Sequence, residues 1–407
     1  MVTDYYLPTL GGVQTVIKAH REELERAGHE VTVFAPLTDD PADPHLERLP
    51  TARGFAPDGY PFTWSPAAAE EMLRRRLPAI GAEVVHVHTE MFAATAAYRA
   101  AHALGLPLVQ TMHGRIDVYP RSVLPIPSVT TALLTAMHRR QLPHDATRID
   151  PAMPYTRTRQ ARRMWRLMVS QADRADHVIV PSDHFAAKLR AQGVQAPVTV
   201  LSNGLEQSVL DAIGAPEPRA LAPAEPLRVM WCGRLSPEKR PEAFVDAISR
   251  VDGVEAHMYG DGIRRRQIAR RAGALPPGRL QVHGGVPQHE VLAAMRRAHV
   301  LVSSSLDFDN QPMVLLEAVA SGLPVIIADP DLAEMLPSRG ALVAPTPDAG
   351  GLASAIRSVA EHPDRIAAMS AAAADHRART AQSTHLERLL DVYRRAIEHR
   401  GTAETHR

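Results

Sequence analysis

Two acidic residues eight positions apart, Asp309 and Glu317, bracket a turn and an apolar run in DNQPMVLLEAVASGLPVIIADP. Asn310-Gln311-Pro312 makes the turn, Met313 to Leu316 opens a short helix, and Gly322 closes it before the apolar run Val325–Ala328. A loop that opens a helix presents backbone N–H groups to an anion. Pro312 has no N–H to give, which leaves the amides of Met313 and Val314 for that purpose. A carboxylate beside such a helix start, or one to two turns inside it, accepts hydrogen bonds from hydroxyls. Phosphate together with hydroxyls is what a sugar nucleotide offers.

A second constellation supplies positive charge. Gly233-Arg234-Leu235-Ser236-Pro237-Glu238-Lys239-Arg240 follows a strand-like run, and its two cations, Arg234 and Lys239, stand five residues apart in a loop that opens the next helix. A guanidinium fork and a compact ammonium can hold a diphosphate from two sides. Lys18, Lys188 and Lys239 are the only lysines among 46 basic residues, so an ammonium at this position is a selective choice. Further candidates end other strands. Gly11-Gly12 allows close backbone approach to an anion ahead of a helix. His113, in Thr111-Met112-His113-Gly114, can donate to a sugar hydroxyl. Gly260 lies in Tyr259-Gly260-Asp261-Gly262, and Gly285 and Val286 lie in a run that can meet a nucleobase. His86 and His88 alternate along their strand and are read as structural, with His88 able to line a cleft.

These groups need a scaffold that brings strand ends together. Short β-branched runs alternate with helical patterns throughout, which predicts parallel βαβ units. Candidate strands are 30–34, 84–88, 108–112, 177–181 and 198–201 in the first half. The second half offers 228–232, 255–259, 280–283, 300–303, 325–328 and 342–343. A Pro/Ala-rich seam over 202–226 separates the halves. The expected architecture is α/β: two Rossmann-like, doubly wound parallel-sheet domains facing across a cleft, with ligands beyond the carboxyl ends of the strands. The domains are placed at 1–205 and 206–385, with a helix and tail at 386–407. The first strand is short because Met1-Val2-Thr3 supplies only its end. A native start a few codons upstream is expected, and otherwise a frayed sheet edge. Residues 115–166 carry 10 Arg against 3 Asp and read as a basic insertion, either a solvated helical hairpin or a surface for an acceptor or an anionic membrane.

Composition narrows the class. The chain has 407 residues and a net charge of +1, which argues against a generic nucleic-acid binder. The single cysteine, Cys232, excludes an internal disulfide and reads as a core residue in a reducing compartment. No apolar stretch is long enough to span a membrane, and no signal segment opens the chain. A cytoplasmic location is expected, with a peripheral one on the inner face of the membrane as the alternative.

In order and spacing, GGVQ, QTMHG, VIVPSDHF, VLSNGLE, CGRLSPEKR, GDG, HGGV and the closing D…E…GLPV block resemble the retaining glycosyltransferases of family 4, which have the GT-B fold. The resemblance covers nearly the whole chain. It implies that Gly11 and Gly12 approach the donor phosphate and that His113 lies by the transferred sugar. It implies further that Arg234 and Lys239 hold the diphosphate, while Asp309 and Glu317 contact the sugar and the ribose hydroxyls. Leu389–His399 suits the family's last helix, which crosses back onto the N-terminal domain. Two departures stand out: Asp309 replaces the usual Glu, and Gln311-Pro312 replaces Phe-Gly. They bear on the donor sugar.

The implied reaction moves a hexose from a nucleoside-diphosphate sugar, UDP- or GDP-linked, to an acceptor hydroxyl with retention. Attack comes from the front face, no cofactor is required and no metal ligand is assigned. Partners are the donor and a small-molecule or lipid acceptor, not nucleic acid. Alternatives are a membrane-surface glycolipid (diacylglycerol-type) glycosyltransferase, a GT-B sugar-nucleotide epimerase, or an inactive sugar-nucleotide-binding subunit.

Overall fold

A computed structural model describes residues 1–8, 11–38, 40, 42–51, 63, 66–118, 127–142 and 148–405. They form two compact units: Met1–Ser202 with His385–Arg407, and Asn203–Thr384. The first contains α1 (Gly12–Arg26), β1 (Val33–Ala35), β2 (Leu46–Arg48), α2 (Pro66–Ala79), β3 (Val85–Val87), α3 (Phe92–Leu104) and β4 (Leu108–Thr111). It continues with α4 (Pro127–Gln141), α5 (Arg159–Ala172), β5 (His177–Val180), α6 (Asp183–Ala191) and β6 (Val198–Val200), and takes in the C-terminal helix (Leu386–Thr405).

Strands β3-β4-β5-β6 pair in that order and β1 pairs with β2, all parallel. Val2 joins the two sets by bridging Phe34 on one side and Val87 on the other. Its N–H donates to His86 O at 2.8 Å and its carbonyl accepts from His88 N at 3.0 Å. The expectation of a frayed edge is therefore wrong. The opening residues lie in the middle of the sheet, where hydrogen bonds from both neighbours hold even a one-residue strand. The pairing of β1 with β2 was not foreseen either, because Leu46-Glu47-Arg48 has no apolar alternation to announce it.

Local chemistry sets the helix ends. Asp4, at the carboxyl end of the Val2 segment, accepts from Thr89 Oγ1 at 2.7 Å and from Ala93 N at 3.1 Å, so it caps the Ala-rich helix α3. Gly105 closes α3 with φ 69°. Thr158 caps α5 through Ala161 N at 3.0 Å. That helix corrects the reading of residues 115–166 as a basic surface insertion only for its last part, 159–166. Trp165 and Met168 of α5 are fully buried in the main core beside Phe185 and Leu189 of α6. The arginines between them masked an apolar face of helical period. The apolar cluster at 123–126 and Leu10 lie outside the described residues.

The sheet is covered on both sides, as parallel sheets must be. One face packs on α2, α3, α5 and α6. On the other, Val109 and Ile179 of the sheet meet Ile17 and Leu24 of α1 and Leu389, Val392 and Ala396 of the C-terminal helix.

The second unit contains α7 (Gln207–Ile213), β7 (Leu227–Cys232), α8 (Pro241–Ile248), β8 (Val254–Tyr259), α9 (Arg265–Ala272), β9 (Leu280–Gly284) and α10 (Gln288–Arg297). It continues with β10 (Val300–Ser303), α11 (Met313–Ala320), β11 (Val325–Ile327), β12 (Ala341–Val343), α12 (Ala349–Ala360) and α13 (Pro363–His376). Its six parallel strands run in the order β12-β11-β10-β7-β8-β9. Period-two alternation divides them: Val229 and Trp231 face α8 and α12, while Met230 and Leu301 face α7, α10 and α11. The chain starts at β7, winds out to β9, then returns to lay β10 on the other side of β7. The β7/β10 junction is thus the topological switch point, where a doubly wound sheet opens a crevice at its carboxyl rim.

Leu389 is fully buried against the first unit's sheet. Leu389→Ala should cost about 2–5 kcal/mol of stability, read as a lower urea midpoint with an unchanged slope; a midpoint equal to wild type would show that the helix is not a fixed part of the core.

Candidate active site

The switch point of the second unit brings together two residues 70 apart in sequence. Lys239 Nζ lies 2.6 Å from Asp309 Oδ1 and 2.8 Å from Oδ2, a bidentate contact between the loop after β7 and the loop after β10. The ammonium also sits 5.4 Å from the centre of the Phe308 ring. Both partners are mostly buried, with side-chain exposures of 23% and 11%. The expected diphosphate cation and the expected sugar carboxylate therefore pair with each other. Asp307-Phe308-Asp309 also has the spacing of a metal-binding acidic pair, which the sequence reading passed over. Both carboxylate oxygens of Asp309 are taken by Lys239.

Ser304 sets the lysine's backbone. Its hydroxyl donates to Lys239 O at 2.7 Å and accepts from Trp231 Nε1 at 2.9 Å. Sequence reasoning missed Ser304, one of three consecutive serines with nothing to distinguish it. Arg240 takes φ 51° and starts α8. Arg234 is exposed, and among the described residues its guanidinium is unpaired. It stands at the same rim, but the structure does not bring it into contact with Lys239.

The turn before α11 is pinned by Gln311, whose Oε1 accepts from Asn203 N at 2.6 Å. An aromatic residue could not accept that bond, so the departure from the family pattern at this position has a structural use. Pro312 precedes the first helical turn, where Met313 and Val314 have no carbonyl one turn back. One turn in, Glu317 is buried, and burial raises its carboxyl above the usual range. Gln288 Nε2 donates to it at 2.7 Å and partly offsets that rise. Gln288 is a second residue the sequence reading missed. Cys232 ends β7 partly buried and packed against the core, as expected; desolvation and the nearby Glu317 push its thiol up to about 12, so it is inert.

The glycine turns have a defined task here. Gly260 has φ 133°, and a Cβ at that position would lie 1.8 Å from Gly233 O. The loops after β7 and β8 are zipped by Gly233 N to Tyr259 O at 3.0 Å and Leu235 N to Asp261 O at 2.9 Å. This close approach fixes the backbone that carries Arg234. Gly285 is exposed and Val286 half-buried, one turn past β9.

In the first unit, Gly11 is extended at φ 177° and Gly12 is the first helical residue of α1, so neither needs the left-handed region. Their missing side chains keep the helix start bare. His113 follows β4, half-buried, with Nε2 3.1 Å from His88 Nδ1. Burial and neighbouring His20 push its imidazole down to about 3, so it is neutral and serves as a hydrogen-bonding group rather than a cation. Its loop is held by Arg115, buried and bidentate to Asp117 at 3.1 and 2.9 Å.

Comparison with known proteins fits this geometry. The family model for glycosyltransferase family 4 matches residues 10–208, and the model for glycosyl transferases group 1 matches residues 226–362. The chain belongs to glycosyltransferase family 4. It is an enzyme of the transferase class, with the two Rossmann-like domains of the GT-B fold and a sugar nucleotide as donor. It is 25% identical to the phosphatidyl-myo-inositol mannosyltransferase of Mycolicibacterium smegmatis, over 97% of this chain and 92% of that one. It is 22% identical to the alpha-monoglucosyldiacylglycerol synthase of Streptococcus pneumoniae, over 80% and 70%. Among solved structures, sucrose-phosphate synthase of Thermosynechococcus elongatus superposes with a TM-score of 0.70 at 18% identity, covering 94% of this chain and 93% of that one. Anabaena HepE, solved with UDP, superposes at 0.66 with 16% identity over 96% and 97%.

Glu317 allows a test of this glycosyltransferase's site against its stability. A carboxyl raised by burial favours folding below its ordinary pKa, and that contribution is lost as pH rises through the raised value. Glu317→Gln should therefore raise Tm by a few degrees above neutral pH and leave it nearly unchanged in acid, while weakening nucleotide binding about tenfold or more. A variant that is no more stable and binds the nucleotide as wild type does would refute the assignment of Glu317.

Proposed function

We propose that this glycosyltransferase moves a hexose from a UDP- or GDP-linked donor to an acceptor hydroxyl with retention at the anomeric carbon. The observation that supports this reading most directly is the Lys239–Asp309 pair at the β7/β10 switch point, beside the start of α11. On donor binding, the diphosphate takes the ammonium from Asp309, and the freed carboxylate turns to the sugar hydroxyls. As the bond from the anomeric carbon to the phosphate oxygen breaks, negative charge grows on the diphosphate. Lys239, Arg234 and the amides of Met313 and Val314 are placed to receive it. The new bond forms from the acceptor oxygen on the same face, and the acceptor's proton passes to the departing phosphate. Protein cations and amides thus supply the charge stabilisation at the diphosphate, with no cofactor.

For the acceptor, the observations favour a glycolipid at a membrane surface. Val129 and Leu133 of α4 are 62% and 57% exposed, one turn apart on a face that continues to exposed Arg140. Arg139, Arg157 and Arg159 are exposed nearby in sequence. Arg162 and Arg163, by contrast, are half-buried and bonded to backbone carbonyls of Thr156, Arg157 and Ser128. They hold α5 and α4 in place and are poor candidates for lipid contact. Of the two relatives named above, one is by its name a mannosyltransferase of phosphatidyl-myo-inositol and the other a synthase of alpha-monoglucosyldiacylglycerol, so both names refer to glycolipids. No helix of the described residues is long and apolar enough to cross a membrane, so peripheral binding at the inner leaflet is the mode proposed.

Lys239→Ala and Arg234→Ala should each lower kcat by about 100- to 1,000-fold with Tm within a few degrees of wild type. Turnover at the wild-type level in either variant would remove the basis for the assignment. Wild-type protein should sediment with anionic vesicles and be released by raised salt; Leu133→Glu with Arg139→Gln and Arg140→Gln should abolish the binding, and a wild type that ignores vesicles would favour a soluble acceptor.

A further inference from the structure

The first unit's sheet carries an unusual polar seam on the face covered by α1 and the C-terminal helix. His86 and His88 are two residues apart, so they share a face rather than lying on opposite sides, and their ring centroids are 4.0 Å apart. His20 of α1 stands over them, 6.0 Å from His86 and 5.6 Å from His88 between centroids. All three are at most 2% exposed. One nitrogen from each of the three rings lies within 4.8 Å of the corresponding atoms of the other two.

The hydrogen bonds of this cluster do not close. His86 is satisfied, with Nδ1 2.8 Å from the Tyr393 hydroxyl and Nε2 2.7 Å from Thr111 Oγ1. His88 uses Nδ1 on His113, and its Nε2 is buried without a partner. His20 Nδ1 is likewise buried without a partner. A buried polar nitrogen without a partner destabilises the fold, and two of them in one cluster of three imidazoles are hard to account for by packing alone. An imidazole lone pair with no hydrogen to accept is available to a metal ion.

We propose that His20, His86 and His88 bind a divalent transition-metal ion, zinc being the chemically natural occupant. Imidazole nitrogen suits zinc, cobalt, nickel and copper, and three histidines with an open fourth position form a known ligand set. Zn–N bonds of about 2.0–2.1 Å in tetrahedral geometry place ligand nitrogens roughly 3.3 Å apart, so the rings close by about 1 Å or more around the ion. His86 joins by exchanging one of its two hydrogen bonds. His88 then holds its proton on Nδ1 and donates it to His113 Nε2, the outer-shell bond that orients a metal-bound imidazole. Burial keeps the ligands in the form that binds metal: His20 is pushed down to about 4, and His86 and His88 well below their usual value. No carboxylate is among the charges acting on these rings, so water or hydroxide completes the shell. The ion would tie α1 to the centre of the sheet.

The test uses the full chain, stripped with a chelator and dialysed. Titration with cobalt(II) should give close to one ion per chain by elemental analysis, with visible absorption bands of a low-symmetry nitrogen-ligated site, and zinc should displace it. His20→Gln and His88→Gln should each weaken cobalt binding by at least about tenfold, whereas His257→Gln, at a separate histidine pair, should not. Zinc should raise the Tm of wild type and leave that of His20→Gln unchanged. If His88→Gln does not fold, His20→Gln decides, because His20 contributes no hydrogen bond within the cluster. Absence of the absorption bands, or equal binding by wild type and His20→Gln, would overturn the proposal.

Discussion

A parallel sheet covered on both faces can offer reactive groups only at its rim, and the carboxyl rim is where successive loops converge. Chemistry in this glycosyltransferase obeys that constraint. In the second unit the order β12-β11-β10-β7-β8-β9 sets the first and fourth strands of the unit side by side, and this adjacency makes the Lys239–Asp309 contact possible. Ser304, Trp231 and Gln311 then fix the two loops, and the bare backbone of Gly260 lets a third loop lie against the first. Each of these residues acts on the position of a charge rather than on the charge itself.

Much of this was legible in the sequence because it rests on local signals. Strands β7 to β12 show as short β-branched runs, the start of α11 shows in a turn with proline before an apolar helix, and Lys239 stands out against a background of arginine. Pairwise facts were hidden. Nothing in the sequence says that Gln311 meets Asn203 or that Gln288 meets Glu317, since each depends on which loops the topology makes neighbours. The histidines illustrate a different failure. His86 and His88 were read as structural one at a time, whereas a period of two puts them on one face, and the third member arrives from α1, 66 residues earlier in the chain. The Arg-rich stretch before β5 misled for a third reason: the arginines of α5 share a helix with Trp165 and Met168, which are fully buried.

Arginines elsewhere in the chain share the habit of Arg162 and Arg163, which is to bond backbone carbonyls. Arg219 donates to Met295 O and Ser321 O, Arg377 to Ala320 O and Leu210 O, and Arg388 to Val200 O. Most of these carbonyls lie at helix or strand ends, where the backbone has run out of partners. One guanidinium with five donors in a plane can serve two such groups at once. Arginine is therefore used at these positions as mortar between elements.

The reverse of that habit is a scarcity of amines. The α-amino group is held low, at about 5, with its N–H donating to Thr32 O at 2.6 Å. Lys18 lies within 3.5 Å of Glu22 on an outer turn of α1, and Lys188 lies over the Tyr155 ring. An acylating or aldehyde reagent thus meets three side-chain amines in the whole chain, each in a different electrostatic setting and one of them at the β7/β10 junction. The sequence has, in effect, reserved a single chemical handle for that junction, readable by mass spectrometry as one labelled peptide.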